Sequence, residues 1–254
     1  MTAHNDRAAR LRELHRPGDP LILPNVWDAA SARVVAEAGY PALATASAAV
    51  TAMLGYEDDQ NAPADEMFAA AGRVVRAAGD LPVTVDAESG YGLPAADLVA
   101  RLAAIGAVGC NLEDTDLAAG GLKDASAQAE FLASVREAAR ANGTDLVINA
   151  RVDVFIGKDG PTAADLDAAL DAALDRGRRY LEAGADSIYP ILVRDESVIA
   201  TLAKELPGPI NVLRLPGMEI SRLAELGVGR ISLGPQAHRH AMAALKDFVT
   251  ALRP

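Results

Sequence analysis

Residues 37–44 read Glu37-Ala38-Gly39-Tyr40-Pro41-Ala42-Leu43-Ala44. A helical stretch stops at Gly39, the backbone turns, and an apolar run begins at Ala42. This is the pattern of a glycine that closes a helix in the left-handed region ahead of a short loop to the next strand. The same punctuation returns in AIGAVGC (104–110), EAGADSIYP (182–190) and ELGVGRISL (225–233). Outward from these joints, short β-branched or apolar runs alternate with longer Ala-, Leu-, Arg- and Glu-rich stretches of helical period. Strands are predicted at Leu21 to Pro24, Ala42 to Ala46, Val83 to Asp86, Gly109 to Glu113, Leu146 to Arg151, Ser187 to Tyr189, Ile210 to Leu213 and Arg230 to Leu233. Helical patterns cover Asp28 to Ala38, Pro63 to Ala78, Ala95 to Ile105, Ala125 to Asn142, Ala163 to Ala183, Glu196 to Glu205, Glu219 to Leu226 and Gln236 to Leu252. Eight βα units of about 30 residues each point to an α/β protein of the closed (β/α)₈ TIM-barrel type rather than an open doubly wound sheet. No Pro-, Gly- or Ser-rich linker divides the chain, so residues 1–254 are expected to form a single barrel domain. The open-sheet alternative also lacks its chemistry, with no G-x-G-x-x-G after a first strand and no P-loop G-K-[ST].

Charge narrows the function classes. The 254 residues carry 24 Lys+Arg against 35 Asp+Glu, a formal charge of −11. Nucleic-acid backbones and anionic lipid both attract clustered positive charge, so neither is an expected partner. Half the residues are hydrophobic and 23% are charged, a balance that can bury a core. The single cysteine, Cys110, has no intramolecular disulfide partner, and no run of about 18 apolar residues offers a membrane span. The opening MTAHNDRAARLRELHR is polar with a helical pattern, unlike a signal peptide. A soluble, cytoplasmic protein is expected.

In a barrel of this kind the chemistry sits where strands end and βα loops begin. The third strand runs Val83-Thr84-Val85-Asp86-Ala87-Glu88-Ser89-Gly90-Tyr91-Gly92, and a period of two places Asp86 and Glu88 on one side. The fourth ends Cys110-Asn111-Leu112-Glu113-Asp114, with Asn111 and Glu113 on one side and Leu112 and Asp114 on the other. The fifth ends Asn149-Ala150-Arg151-Val152-Asp153, where Asn149, Arg151 and Asp153 alternate in phase. Taken singly, Arg151 with Asp86 or Glu113 reads as a structural ion pair. Taken together, the acids outnumber the guanidinium, and crowded carboxylates in a low-dielectric site stay ionised only when a cation compensates them. His4 and His15 are N-terminal, His238 and His240 lie on the last helix, and Cys110 stands alone, so no zinc or copper ligand set forms. An oxygen-only set calls for Mg²⁺ or Mn²⁺.

Lys123, Lys158, Lys204 and Lys246 are the only lysines, and none falls in a strand, which argues against a Schiff-base aldolase. A Ser-His-Asp hydrolase lacks both a strand-end histidine and a G-x-S-x-G turn. Metal-assisted chemistry at an oxygen-rich rim remains, in which a divalent ion polarises a carbonyl and stabilises a developing enolate.

The segments LPNVWDAASARVVAEAGYPALATAS (23–47), GYEDDQ (55–60), VDAESGYG (85–92), NLEDTD (111–116), INARVD (148–153) and GADSIYP (184–190), in this order and spacing, resemble the isocitrate lyase and phosphoenolpyruvate mutase superfamily. The resemblance runs from about Leu21 to Ala244. It implies that Asp86, in the position of the first acid of D-x-D-x-G-Y-G, binds Mg²⁺ directly, and that Glu88 does so through water. Glu88 stands where the family has Asp, one methylene longer. The resemblance further implies Glu113 as a direct or outer metal contact, Asp58 as a water-mediated one, and Arg151 as the residue that grips the substrate carboxylate or phosphoryl group, a role suited to a planar bidentate donor. Groups near Thr45, Ala46 and Ser47 would hold the 2-oxo acid end. Lyases of the superfamily carry K-[KR]-C-G-H in a mobile lid after the fourth strand, and the phosphonomutase branch has a longer lid with Lys and Asn. Here the loop reads TDLAAGGLK (115–123), short and without cysteine, and Lys123 is its lone candidate cation beside the bland reading of a solvated surface lysine. Tyr91 is a candidate cover for the bound substrate. Asn211, with Ser232 and Gly234, is placed at the ends of the last two strands, where either barrel packing or a substrate contact would suit it.

The expected activity is an Mg²⁺-dependent carbon–carbon lyase acting on a small 2-oxo or 2-hydroxy carboxylic acid through a pyruvate-type enolate. A phosphonomutase, a phosphonopyruvate hydrolase or an oxaloacetate decarboxylase would share the same core, and a non-catalytic carboxylate-binding barrel is the reading from another class. The resemblance also implies a homotetramer with an exchanged C-terminal helix. Apolar Met242, Leu245 and Phe248 along that helix suit either such an exchange or closure of the chain's own barrel.

Overall fold

Helices stop at glycine and strands start a few residues later at each predicted joint, and this repeat builds the framework seen in a computed structural model. The structure describes residues 2–58, 60–157 and 165–253. Lys158, and the predicted start of the fifth-strand helix at Ala163, lie outside the described residues. In chain order the elements are α1 (Ala3–Glu13), β1 (Leu21–Leu23), β2 (Asn25–Val26), α2 (Ala29–Glu37), β3 (Leu43–Thr45), α3 (Ser47–Leu54), α4 (Ala64–Ala78), β4 (Val83–Asp86) and α5 (Ala95–Ile105). There follow β5 (Gly109–Glu113), β6 (Thr115–Asp116), β7 (Gly121–Leu122), α6 (Ala125–Ala141), β8 (Val147–Val152), α7 (Leu166–Glu182), β9 (Ser187–Pro190), α8 (Glu196–Glu205), β10 (Asn211–Leu213), α9 (Ile220–Glu225), β11 (Arg230–Ser232) and α10 (Gln236–Ala251).

All the pairings of the main sheets are parallel, and they run round a ring. β2, β3, β4, β5, β8 and β9 pair in that order, and an isolated bridge between Ile188 and Ile210 carries the ring to β10. β10 pairs with β11, and β11 with β1. The first stave is thus in two pieces, β1 within the predicted Leu21 to Pro24 and β2 just beyond it, parted at Pro24, which has no N–H to give to a ladder. β1 serves the last strand and β2 serves β3. Two elements were not legible beforehand. α3 follows β3 directly, and the loop after β5 folds into the small antiparallel hairpin β6–β7.

The main core lies between the sheet and its helices, with Phe68, Leu98, Leu102, Leu132, Tyr180 and Ile199 packed on Val85, Leu112 and Ile148. A second cluster closes the end where strands begin. There Ala8 and Leu11 of α1 sit on Leu21, Leu23, Ala44, Val108 and Val147, so the polar N-terminal helix is a plug for the barrel floor. Gly109 permits this docking: a Cβ there would stand 3.0 Å from Leu11 Cδ2, Thr84 Oγ1 and the Val147 carbonyl oxygen. Arg12 fastens the plug through a bidentate pair with Asp145 (2.7 and 2.8 Å) and a 2.6 Å contact to Asp186. At the far end of the chain none of α10's residues is buried, and Met242, Leu245 and Phe248 are 44, 52 and 64% exposed. The stripe does not close the chain's own barrel. Among the described residues no helix is long and apolar enough to cross a membrane.

Candidate active site

The strand ends opposite the plug open into a cavity of about 400 Å³, with Asp86, Asn111, Arg151, Tyr189 and Ser232 among its lining. Ala46, Ser47 and Asp58 border one side, aliphatic Ile191, Leu192, Leu213 and Leu215 another, and Gln236 and Arg239 of α10 reach it from above. Hollows of similar or larger volume lie where the strands begin, around Leu14 and Tyr40 and around Arg12 and Arg136. The convergent acids are absent there, and barrel chemistry belongs to the other face.

Asp86 ends β4 and is gripped by the segment that precedes α3. Its backbone N–H donates to Thr45 Oγ1 (2.9 Å), and its Oδ2 accepts from the Ser47 N–H (3.0 Å). The helix beginning at Ser47 has no side-chain cap of its own, so the Asp86 carboxylate meets the positive end of α3. Thr45 and Ser47, expected to hold a 2-oxo acid, thus orient Asp86, while Ala46 and Ser47 also border the cavity.

Strand alternation does not explain Glu88. β4 stops at Asp86, and Glu88 (φ 49°) and Tyr91 (φ 55°) occupy the left-handed region, which costs a non-glycine residue about 1–3 kcal/mol and concentrates at functional sites. The turn is tied to β5 by the Glu113 N–H donating to the Glu88 carbonyl (2.9 Å). The Glu88 carboxylate is buried, and neither oxygen has a hydrogen-bond partner. Burial, then the charges of Asp86, Glu113 and Asp58, push its pKa up to about 8. Glu113 is likewise pushed up to about 8, by burial first and against the pull of Arg151.

Arg151 is held on two sides. Its Nε and Nη2 donate to the two oxygens of Asp153 (2.7 Å each), and Nη1 lies 2.6 Å from Glu113 Oε2. Register places Glu113, Arg151 and Tyr189 side by side across β5, β8 and β9. Asp153 is fixed in turn by its N–H to Asp114 Oδ1 (2.9 Å) and by the Thr115 hydroxyl. Asp114, on the other side of β5, takes Tyr180 Oη at 2.7 Å and Arg176 Nη1 at 3.0 Å, which moors α7 to the sheet. The acid pair at 113 and 114 therefore divides between the cavity side and the framework.

Three candidates lie elsewhere. Lys123 borders a separate hollow with Asp116, Gln128 and Phe131, its ammonium 5.9 Å from the Phe131 ring, and burial lowers its pKa. Tyr91 packs edge-on against Phe68 at 5.7 Å, within the field of Glu88 but outside the cavity lining. Asn211 begins β10 instead of ending it, fully buried with both amide atoms unpartnered. Asp58 borders the cavity as an exposed residue. Two residues gained no role from the sequence. Arg230 starts β11 fully buried and reaches across the interior to Asn111 Oδ1 (3.3 Å) on the opposite stave, and Arg239 stands at the mouth. An arginine opening an apolar strand, RISL, was the available signal for the first.

The donors fit a hard cation. Soft ligands are remote: Cys110 is buried, His238 packs on Trp27 at 5.0 Å, and His15 lies in the floor. Among the described residues no three His, Cys, Asp or Glu side chains converge as a ready-made cage. Mg²⁺ suits that spacing, because it keeps several waters and takes only one or two carboxylates directly.

The phosphoenolpyruvate phosphomutase family model matches residues 11–253. The chain belongs to this family. It is 32% identical over 257 residues to the oxaloacetate decarboxylase of Rhodopseudomonas palustris (strain BisB5), covering 98% of this chain and 85% of that one. It is 31% identical over 224 residues to the 2-methylisocitrate lyase of Bacillus subtilis (strain 168), covering 83% and 68% respectively. A crystal structure of a protein from Burkholderia cenocepacia J2315 matches with a TM-score of 0.91 at 44% identity, covering 97% of this chain and all of that one. Enzymes of the phosphoenolpyruvate phosphomutase and isocitrate lyase superfamily are divalent-metal-dependent lyases and mutases. The loop after β5 in this chain is the β6–β7 hairpin, closed by Asp116 Oδ1 accepting from the Ala118 and Ala119 N–H groups.

Proposed function

We propose that the protein is a cytoplasmic, Mg²⁺-dependent lyase that cleaves a carbon–carbon bond in a small 2-oxo or 2-hydroxy carboxylic acid by way of a pyruvate-type enolate. The observation that carries this reading is the meeting of Asp86 and Arg151 on one enclosed cavity beside the unpartnered Glu88 carboxylate. Asp86 would hold the ion, with Glu88, Glu113 and Asp58 reached across water; Mn²⁺ suits the same donors. When bound, the ion supplies Lewis-acid polarisation of the substrate carbonyl and offsets the developing negative charge.

The chain's own groups do the rest. Asp153 takes one N–H from Nε and one from Nη2 of Arg151 while Glu113 pairs with Nη1 by charge, which leaves N–H groups of the fork for a substrate carboxylate in a fixed orientation. The Ser47 N–H holds the Asp86 carboxylate, and Thr45 holds its backbone N–H. The aliphatic wall from Ile191 to Leu215 excludes water from the enolate side. Lys123, Tyr91 and Asn211 take no direct part in this reading. The short hairpin, which has no cysteine, favours as a second reading decarboxylation of a 3-carboxy-2-oxo acid such as oxaloacetate, the same intermediate reached by loss of CO₂. The barrel forms a single domain, and α10 with its exposed stripe joins copies into a homo-oligomer, a tetramer by likeness to the superfamily.

The test is a panel of oxaloacetate, phosphonopyruvate, phosphoenolpyruvate, isocitrate, methylisocitrate and dimethylmalate with Mg²⁺, with release of pyruvate or glyoxylate coupled to absorbance. Mg²⁺-dependent turnover of a 2-oxo or 2-hydroxy acid is expected. Mg²⁺ binding with no turnover of any member would point instead to a carboxylate-binding barrel.

A further inference from the structure

We infer that Tyr189 is the proton donor of this site, transferring its phenolic hydrogen to the carbon of the enolate that bond cleavage leaves. The inference rests on the proposed enolate chemistry and supplies the acid that the hairpin lacks.

Tyr189 lies in β9, in register with Arg151, and its side chain lines the cavity. Its ring is clamped against Leu213, Leu215 and Met218, which fixes the direction of the hydroxyl. Among the described residues that hydroxyl has no hydrogen-bond partner, yet it is not among the atoms sealed from solvent, so it opens onto the cavity. Buried tyrosines ordinarily satisfy their O–H within the protein, as Tyr180 does on Asp114. Burial lifts the Tyr189 ionisation above that of an ordinary phenol, so the group carries its proton at neutral pH.

Two guanidiniums face it. Arg151 and Arg230 both act on the phenol to favour the charge left after proton loss, while Asp86 and Asp153 oppose it. Arg230 is fully buried and, among the described residues, has no carboxylate partner: Nε donates to Ser232 Oγ (3.2 Å), Nη2 to Asn111 Oδ1 (3.3 Å), and Nη1 to none of them. A buried cation without a counter-ion is costly unless the site uses its charge. Beneath the floor made by Asn111 and Ser232, it is placed to stabilise a phenolate at Tyr189. Two rival donors are elsewhere, since Lys123 borders another hollow and Cys110 is sealed, and Glu88 and Glu113 lie in the surroundings of the proposed ion, which would hold them ionised.

The step balances without a redox partner. The enolate π electrons form the new C–H bond, the O–H bond breaks with its pair staying on oxygen, and the phenolate between Arg151 and Arg230 regains a proton from water at the mouth. In reverse, the same group would exchange the methyl hydrogens of pyruvate.

The experiment incubates the full chain with Mg²⁺ and pyruvate in D₂O and follows loss of the methyl signal by proton NMR. In parallel, calorimetry measures binding of oxalate, a planar mimic of the enolate. Wild type is expected to bind oxalate and exchange. Tyr189→Phe, which keeps the ring and its packing, is expected to lose at least about 100-fold in exchange and to bind oxalate within about threefold of wild type. Unchanged exchange in the variant, or loss of oxalate binding together with exchange, would overturn the inference. Wild type that binds oxalate but never exchanges overturns it as well. Wild type that binds no oxalate in Mg²⁺ overturns the lyase reading instead.

Discussion

Replacing Glu88 with Gln should make the metal-free protein more stable and the metal-loaded protein worse at holding its ion. A carboxyl that ionises near 4.5 in the unfolded chain and near 8 in the folded one leaves the unfolded chain at pH 7 without a proton that the native state keeps. That difference opposes folding by ~3 kcal/mol at pH 7. The sign follows from the raised value: stability is fully present below pH 4.5 and is lost as pH climbs through 8. A glutamine escapes this titration but still buries an amide where neither carboxylate oxygen finds a partner, which costs ~1–2 kcal/mol. The net gain is ~1–2 kcal/mol, or about 2–8 °C in melting temperature for a chain of this length.

Scanning calorimetry in EDTA and in excess Mg²⁺, at several pH values, reads both halves of the prediction. In EDTA the variant should melt above wild type at pH 7 and below it near pH 4.5, where the titration no longer opposes wild-type folding and only the amide cost is left. Mg²⁺ should then raise wild type more than the variant, because a ligand stabilises in proportion to its affinity for the folded state. A variant less stable than wild type in EDTA at pH 7 would mean that Glu88 is satisfied in the fold. Equal Mg²⁺ shifts for the two proteins would remove Glu88 from the metal's surroundings.

Asp86→Ala should abolish Mg²⁺ binding in calorimetric titration while the fold persists, since only the Ser47 N–H loses a partner and the backbone N–H of residue 86 still reaches Thr45; unchanged binding would refute the assignment. Asp153→Asn leaves one side of the buried Arg151 fork facing an amide, and should cost ~3 kcal/mol in denaturant titration along with oxalate affinity. His15 is buried with its Nδ1 2.8 Å from the Leu11 carbonyl oxygen, and burial and Arg230 lower its pKa to about 4. The unfolded chain protonates it near 6.5, so stability should fall by ~3 kcal/mol as pH drops from 6.5 to 4, a limb that His15→Gln should flatten in urea titrations. Phe248→Asp, on the exposed face of α10, should shift the oligomer toward monomer in light scattering without lowering the monomer's helicity.

The barrel was legible because its joints are chemically distinct. Gly39, Gly106, Gly184 and Gly227 all take positive φ at the helix ends read from the sequence. α3 was not legible: SAAVTAML is short, lacks a polar face and has no capping side chain, so nothing in its period separates it from a loop. The site was legible as a list of strand-end acids but not as a geometry. Alternation holds for Asn111, Glu113 and Arg151, which sit on paired staves. It fails at Glu88, where the backbone has left the strand, and at Asn211, where the strand starts one residue later than the apolar run suggests. The partners of Asp114, Tyr180 and Arg176, come from a helix more than sixty residues on and leave no local trace.

Three buried or half-buried arginines show how the molecule separates framework from chemistry. Arg176 meets Asp114 and Tyr180 and joins a helix to the sheet, so its charge is matched where it stands. Arg151 meets two acids but still lines the cavity with N–H groups to spare, matched and still able to bind. Arg230 meets only neutral oxygens, in a barrel interior that branched aliphatic side chains usually fill. The same interior holds Asn111, Asn149 and Ser187 in one hydrogen-bonded run, Asn149 Nδ2 to Asn111 Oδ1 at 2.8 Å and Ser187 Oγ to Asn149 Oδ1 at 2.6 Å. An apolar filling would have been the more stable choice for a scaffold alone. A polar run ending in an unmatched guanidinium makes physical sense when negative charge gathers transiently just above it, and the cavity over Asn111 and Ser232 is where Asp86, Arg151 and Tyr189 converge.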